Sequence, residues 1–599
     1  MSLSRSVYML IGVVSLVLAI SPKWLMAQTD TQFWFVAPEV SKNGAQRFDE
    51  PIYFRLSNYN MPSTVTISMP ANPAFVPIVR NIPANGAATV DVSSFLETVE
   101  NKPANTILNK GILITATNPI TVYYEVASTY CNCNPEIYAL KGRNALGTNF
   151  LIPGQTHFEN SGSYSPTPYN KFDIVATQNN TTITINPMKA VVGHAAGVTF
   201  QIILNQGETW SGVATGQAVV NHLHGTEVIS DKPIAITLTD DLLYGITGCA
   251  DLTGDQLIAE TLAGNEYIAV KGFLTNGGER IYVLGLTNNT VLTFDGGSTV
   301  ANINRKEVYN YAIPNSATYL NASHPVLVLQ TSGFGCELGS GVIPAIGCTG
   351  STSVTFTRTT AQQLGLIICT RVGCESGFAL NGNSTLIPAS AFSAVPGTAG
   401  QWVAARITYS LAQVPMGTTC LVSNSLGLFQ MGVIIGDYGD GCSYGFFSGF
   451  SSLNLGPDMA LCPGDSTCLD GGEGYSSYLW NTGSTSRYLW VSSPGTYWVN
   501  VSNNFCNLSD TIAISLFPVT QVSAGSDTAI CEGATVTFDA GAGFKSYRWD
   551  PPGLHTQQIT VGIGGTYTVT VTDVNNCGSS DSVSLIINPL PGAIPIRHD

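Results

Sequence analysis

The feature that most constrains this chain is that it repeats itself. Thr31-Gln-Phe-Trp-Phe-Val-Ala-Pro38, Thr148-Asn-Phe-Leu-Ile-Pro153 and Asn265-Glu-Tyr-Ile-Ala-Val270 are variants of one phrase, and Phe33, Phe150 and Tyr267 stand 117 residues apart. A fixed period of this kind marks a structural unit used several times over. Each opening leads into an alternating segment (52–57, 172–177 and 281–286). A polar turn and a second such segment follow (64–67, 182–185 and 290–294). Alternation at period two reads as strands. Each unit then closes on a proline phrase: Asn118-Pro-Ile-Thr-Val122, Asp231-Lys-Pro-Ile-Ala-Ile236 and His324-Pro-Val-Leu-Val328. Proline is expected there between two strands, where its missing N–H interrupts no central ladder. A shorter fourth unit starts near Ser353 and ends with Gly427-Leu-Phe-Gln-Met-Gly-Val-Ile-Ile435.

Composition agrees with an all-β chain. Only 11% of the 599 residues are charged and glycine is abundant at 61, against roughly 25% charged in ordinary soluble domains. That balance suits pleated strands and tight turns, and starves helices of Lys and Glu. The expected fold class is therefore all-β, with tandem β-sandwich-like units. A β-propeller using two blades per unit is the alternative for the N-terminal region. The net charge of −15 with no basic run leaves no nucleic-acid footprint.

Beyond about Ser452 the period changes. Cys462…Trp480…Cys506 is echoed by Cys531…Trp549…Cys577, with the two tryptophans 69 residues apart. Pro494-Gly-Thr-Tyr-Trp-Val-Asn-Val501 recurs as Gly564-Gly-Thr-Tyr-Thr-Val-Thr-Val571. Small Ig/PKD-like sandwiches are expected over 453–517 and 518–588, each with a buried indole and its own disulfide, Cys462–Cys506 and Cys531–Cys577. Cys468 has no counterpart in the second module. At the other end, Arg5 and the apolar run Val7–Ile20 read as a signal peptide over 1–27, cleaved between Ala27 and Gln28. All 14 cysteines follow it, an even number that suits disulfides in an oxidising compartment. Residues 589–599 read as a linker into a further, truncated module.

The region from about 30 to 450 resembles the N-terminal domain family of IgGFc-binding proteins in its bacterial surface form. The resemblance rests on Phe33–Pro38, Glu136-Ile-Tyr-Ala-Leu-Lys-Gly-Arg-Asn-Ala-Leu-Gly147, Asp251-Leu-Thr-Gly-Asp-Gln256, Gly335-Cys-Glu-Leu-Gly339 and Gly441-Cys-Ser-Tyr-Gly-Phe-Phe447. The two tail modules look like the PKD- and immunoglobulin-like repeats of surface proteins exported by type IX secretion, many of them gliding motility-associated. These resemblances imply a cell-surface or secreted destination. The immunoglobulin binding in the family's name is not carried over.

No motif outweighs its structural reading. Gly441-Cys-Ser443-Tyr-Gly445 matches a nucleophile elbow, but a strand rather than a helix is expected after it, and Cys442 is expected to be bridged. Asn221-His-Leu-His224 could place two imidazoles on one strand face, and a solvent-facing strand edge is the plainer reading. Asp251 with Asp255, and Asp437 with Asp440, could offer oxygens to calcium, yet match no calcium-binding loop. No catalytic, cofactor or metal residues are expected. The chain reads as a non-enzymatic, adhesin-like protein with an N-terminal recognition region over 28–452 and a C-terminal spacer. Its partner would be a protein or glycan ligand. A structural component of a surface layer, and a glycan-active enzyme with carrier modules, are the alternatives.

Overall fold

A computed structural model describes residues 28–592 except 43–48, 128–133, 163, 245–247, 276, 348, 451–452, 454, 457, 473–474, 476, 504–505 and 519–520. The expected signal segment with Ala27, the Cys131 and Cys133 pair, Cys348 and the stretch 593–599 lie outside the described residues. Among the described residues the regular structure is nearly all strand, with seven short 3-10 turns and one four-residue α-helix, Leu96–Val99.

In the first unit one long strand, Ile112–Val126, belongs to two sheets. Its first half pairs with Asp30–Phe35 and Ser63–Ser68, and the latter pairs with Ile78–Ile82. Its second half pairs with Glu136–Ala139 and Ile52–Asn58, and the latter with Ala87–Asp91. Side chains from both sheets, among them Phe33, Phe54, Val65, Ile114 and Tyr124, meet in one core, so the unit is a β-sandwich. The second and third units repeat this plan around Glu227–Tyr244 and Ala317–Gly335. In the fourth, a three-stranded sheet (Ser353–Thr357, Thr419–Asn424, Phe378–Leu380) faces a five-stranded one centred on Gln363–Arg371.

The prolines correct one expectation. Pro119, Pro233 and Pro325 do not separate two strands; each lies inside the long strand of its unit. The opening strand skips residues at that point: Gln32 pairs with Thr115 but Asp30 with Ile120, and Glu266 pairs with Asn321 but Gly264 with Val326. The unpaired residues form a bulge that bends the long strand from one sheet into the other. Proline is tolerated because the ladder is already broken there.

The four sandwiches close into a ring. The short strands Glu136–Ala139, Ala250–Gln256, Glu337–Ile343 and Cys442–Phe446 pack one on the next in that order, and the last packs on the first. Neighbouring units share side chains in the same cyclic sense. Ile281 and Val283 face their own core while Tyr282 and Leu284, the alternate residues of that strand, enter the core of the second unit. Ile367 and Cys369 enter the third core, and Tyr123 and Ile137 enter the fourth. This is why Asn170–Ala176 is buried at every residue. The alternation in sequence expresses two different neighbours, not core and solvent. Gln28, the residue expected to begin the mature chain, is buried and donates from Nε2 to the carbonyls of Phe446 and Ser448 at 3.1 and 2.8 Å. The two ends of the region are thereby joined where the ring closes.

The tail holds two small sandwiches. Trp480 and Trp549 are both fully buried, and their indole N–H groups donate to the carbonyls of Ser486 and Thr556. The expected disulfides are not formed. Cys462 is bonded to Cys577, across the two modules, and Cys531 is free and exposed; the side chain of Cys506 lies outside the described residues. Strand register supplies the reason. Leu461 lies beside Leu516, whereas Cys506 begins that same strand ten residues earlier, about 34 Å away at ordinary strand rise. Cys531 pairs with Asn588 while Cys577 precedes Gly578 at the strand's far end. A disulfide spans only about 5.5–6 Å between Cα atoms. Within each module the two cysteines occupy opposite poles, and only the pole of the first module that adjoins the second brings two of them together.

Candidate functional site

The axial strands carry a set of buried charged groups, Glu136, Asp251, Asp255 and Glu337, with Lys141 beside them. Lys141, fully buried, donates from Nζ to Asp255 Oδ1 at 2.6 Å and so ties the first unit to the second. Asp255 Oδ2 accepts the N–H of Val342 at 3.0 Å, reaching the third unit. Glu136 takes the N–H groups of Ile137 and Tyr444 on Oε1 and that of Ser340 on Oε2, joining units one, three and four. Burial pushes the Glu136 carboxyl well above its usual range, and these three backbone donors oppose the shift. Asp251 accepts the N–H of Leu338 on Oδ2 at 2.9 Å. Its carboxyl is also pushed well up, first by burial and then by Glu337 beside it. Glu136, Lys141, Asp251, Asp255 and Glu337 all lie in the phrases that marked the resemblance; what the sequence did not reveal is that those phrases converge on one axis.

The motif residues fall into structural roles. Ser443 sits in the buried strand Cys442–Phe446, its Oγ donating to the Ile435 carbonyl at 3.3 Å, with no helix after it. Cys442 is not bridged as expected but is a buried free thiol. Its strand is buried at every residue, and burial, followed by the nearby carboxylates of Asp251, Glu136 and Glu337, pushes the thiol pKa up. The His222/His224 pair is not on an exposed strand edge. Asn221 ends a short 3-10 turn and His222 is fully buried, its Nδ1 within 3.3 Å of Asp240 Oδ2 and 2.9 Å of Gln155 Nε2. Asp240 in turn accepts from Asn160 and Gln155, while His222 Nε2, His224 Nδ1 and Asn160 Oδ1 are buried with no hydrogen-bond partner among the described residues. Asp437 and Asp440 occupy an exposed turn.

Glu279 offers a direct test of this buried carboxylate design. It is fully buried, accepts from the Leu274 N–H at 3.0 Å and from Ser332 Oγ at 3.3 Å, and burial pushes its carboxyl up to about 7. A carboxyl whose folded pKa lies above its unfolded value of about 4.3 binds its proton more tightly in the native state. Its stabilisation is complete below about pH 4.3 and is lost as pH rises through about 7. Glu279→Gln is expected to flatten the fall of Tm between about pH 5 and pH 8. Calorimetric scans across that range giving the same slope for both proteins would contradict the assignment.

Two surfaces among the described residues are open to solvent. A cavity of about 290 Å³ lies beside the strand Gly147–Leu151, lined by Arg143, Thr148, Asn149, Pro233 and Thr261, with Gly456 from the tail. In the first tail module Tyr488 and Trp490 are 48% and 70% exposed on one strand face, opposite Asp470 and Cys468. The equivalent face of the second module carries Gln558 and Thr560 opposite Asp539 and Thr537. The fold is therefore made without aromatic residues there. These arrangements suit contact with a partner.

Residues 136–434 match the family model described as IgGFc binding protein. The match begins at the first axial strand, so the opening sandwich lies outside it although it repeats the same plan. A comparison with curated proteins finds no match. Among solved structures the chain is similar to the insect immune protein hemolin (12% identity, covering 54% of this chain and all of that one, TM-score 0.16). It is also similar to Sidekick-1 immunoglobulin domains 1–5 (10% identity, 74% and 99% covered, TM-score 0.14). The N-terminal eight Ig domains of Down Syndrome Cell Adhesion Molecule give 11% identity, 93% and 73% covered, and a TM-score of 0.16. At scores this low the likeness carries no argument. Among the described residues no helix is long and apolar enough to cross a membrane.

Proposed function

We propose that this chain is a secreted or cell-surface binding protein of adhesin type, acting at a bacterial outer surface without catalysis. In this reading the region 28–452 is the recognition part and the modules within 453–588 are its spacer. The observation that carries the division is the Cys462–Cys577 bond. A covalent tie across a module junction fixes the angle between two domains, which a spacer needs and an independently folding module does not. The ring supplies a scaffold of strands, and the loops that join strands are the usual placement of recognition residues. The match to the IgGFc-binding family favours a protein ligand, and the open cavity beside Arg143 is offered as part of its contact surface.

The full chain, printed against arrays of immunoglobulins, host glycoproteins and polysaccharides, is expected to bind a protein class. Arg143→Glu is expected to weaken that binding at least about tenfold, the loss of roughly one charged contact. Trp490→Ala is expected to leave it unchanged. Binding abolished by Trp490→Ala and indifferent to Arg143→Glu would reverse the division of labour.

A further inference from the structure

We propose that Asp251 and Glu337 hold a hard divalent cation of the calcium class at one end of the axis of the ring. Asp251 is wholly buried in the strand Ala250–Gln256. Its Oδ2 is satisfied by the Leu338 N–H, but no donor reaches Oδ1 among the described residues. Glu337, itself buried, opens the adjacent axial strand, and its carboxyl lies within hydrogen-bonding reach of Asp251. The Glu337 carboxylate also lies within 4.8 Å of the sulfurs of Cys249 and Cys336. Those sulfurs are bonded to each other and carry no proton to donate.

The same strand contains its own control. Asp255, four residues on and therefore on the same face, has Lys141 at 2.6 Å and two backbone donors. Among the described residues no lysine, arginine or histidine pairs with Asp251 or Glu337. Two adjacent buried carboxylates without a counter-charge are strongly unfavourable. One divalent cation cancels both charges, and a pair of carboxylates offers the oxygen ligands that a hard ion takes. Asp251 belongs to the second unit and Glu337 to the third, so the ion would tie these two sandwiches together beside the Cys249–Cys336 bond. The remaining coordination positions would fall to water or backbone carbonyls.

The test uses the full chain with its disulfides intact, stripped with EDTA and titrated with CaCl2 and, separately, MgCl2. Calorimetry should show one saturable site, and Tm should rise by roughly 3–5 °C at a hundredfold excess over Kd. Asp251→Asn and Glu337→Gln should each abolish the response. A wild-type protein indifferent to both ions would overturn the proposal even if neither variant folds. Asp251→Asn more stable than wild type near pH 8, with no response to either ion, would show instead that the pair shares a proton.

Discussion

Replacing Cys577 by serine is expected to release the tail junction, lowering tail stability by about 2–4 kcal/mol while leaving each module's fold intact. The bond closes a loop of 115 residues, so its loss restores much freedom to the unfolded chain. Each module keeps its own buried tryptophan and its own sheet, so the effect should concentrate at the junction. Limited proteolysis should cut between the modules far faster in the variant, and small-angle scattering should report a wider spread of lengths. Cys531→Ser, at the free and exposed thiol, should change neither. Peptide mapping without reduction should join the Cys462 peptide to that of Cys577. A Cys462–Cys506 peptide would refute the junction bond outright.

The second large effect is expected at Lys141. Changing it to methionine leaves Asp255 buried without its ion-pair partner, a loss of roughly 3–5 kcal/mol for a buried pair broken on one side. Burial lowers the Lys141 pKa, and Asp255 is what opposes that shift. In the variant the Asp255 carboxyl, already raised by burial, loses its main opposing charge and should rise further. The variant's deficit should therefore deepen as pH rises, because a raised carboxyl gives up its stabilisation in that direction. Adding Asp255→Asn removes the stranded charge but keeps an oxygen for the Val342 N–H, and should recover at least half of the loss. Urea unfolding of the full chain, read at two pH values, measures both. A double variant no better than Lys141→Met would mean that packing rather than charge holds this junction.

Much of the fold was legible because strand formation is local. The segments read at 52–57, 64–67 and 290–294 correspond to Ile52–Asn58, Ser63–Ser68 and Thr290–Phe294. Period-two patterning and turn residues specify a strand whatever it packs against. The prolines were misread for a physical reason: a bulge and a strand break look alike in sequence, since both remove a ladder N–H. The cysteine pairing failed because spacing along the chain does not report distance across a module. The pairs chosen within modules lie about ten strand residues apart, whereas the true pair is joined by a junction that no single module contains. His222 was misplaced because its burial comes from Gln155 and Asp240, remote in sequence.

The sequence by itself determined that this protein is all-β, exported in expectation, and built from sandwich-sized repeats, because those properties follow from local pattern and composition. Only the tertiary structure decided that four of the units close into a ring, that an acidic cluster gathers on its axis, and that a disulfide ties the tail modules together. Each of these depends on surfaces meeting across 87 residues of chain or more. Two strand faces with the same alternation can bury against a sheet of their own unit or against a neighbour, and it is packing in space that makes the choice.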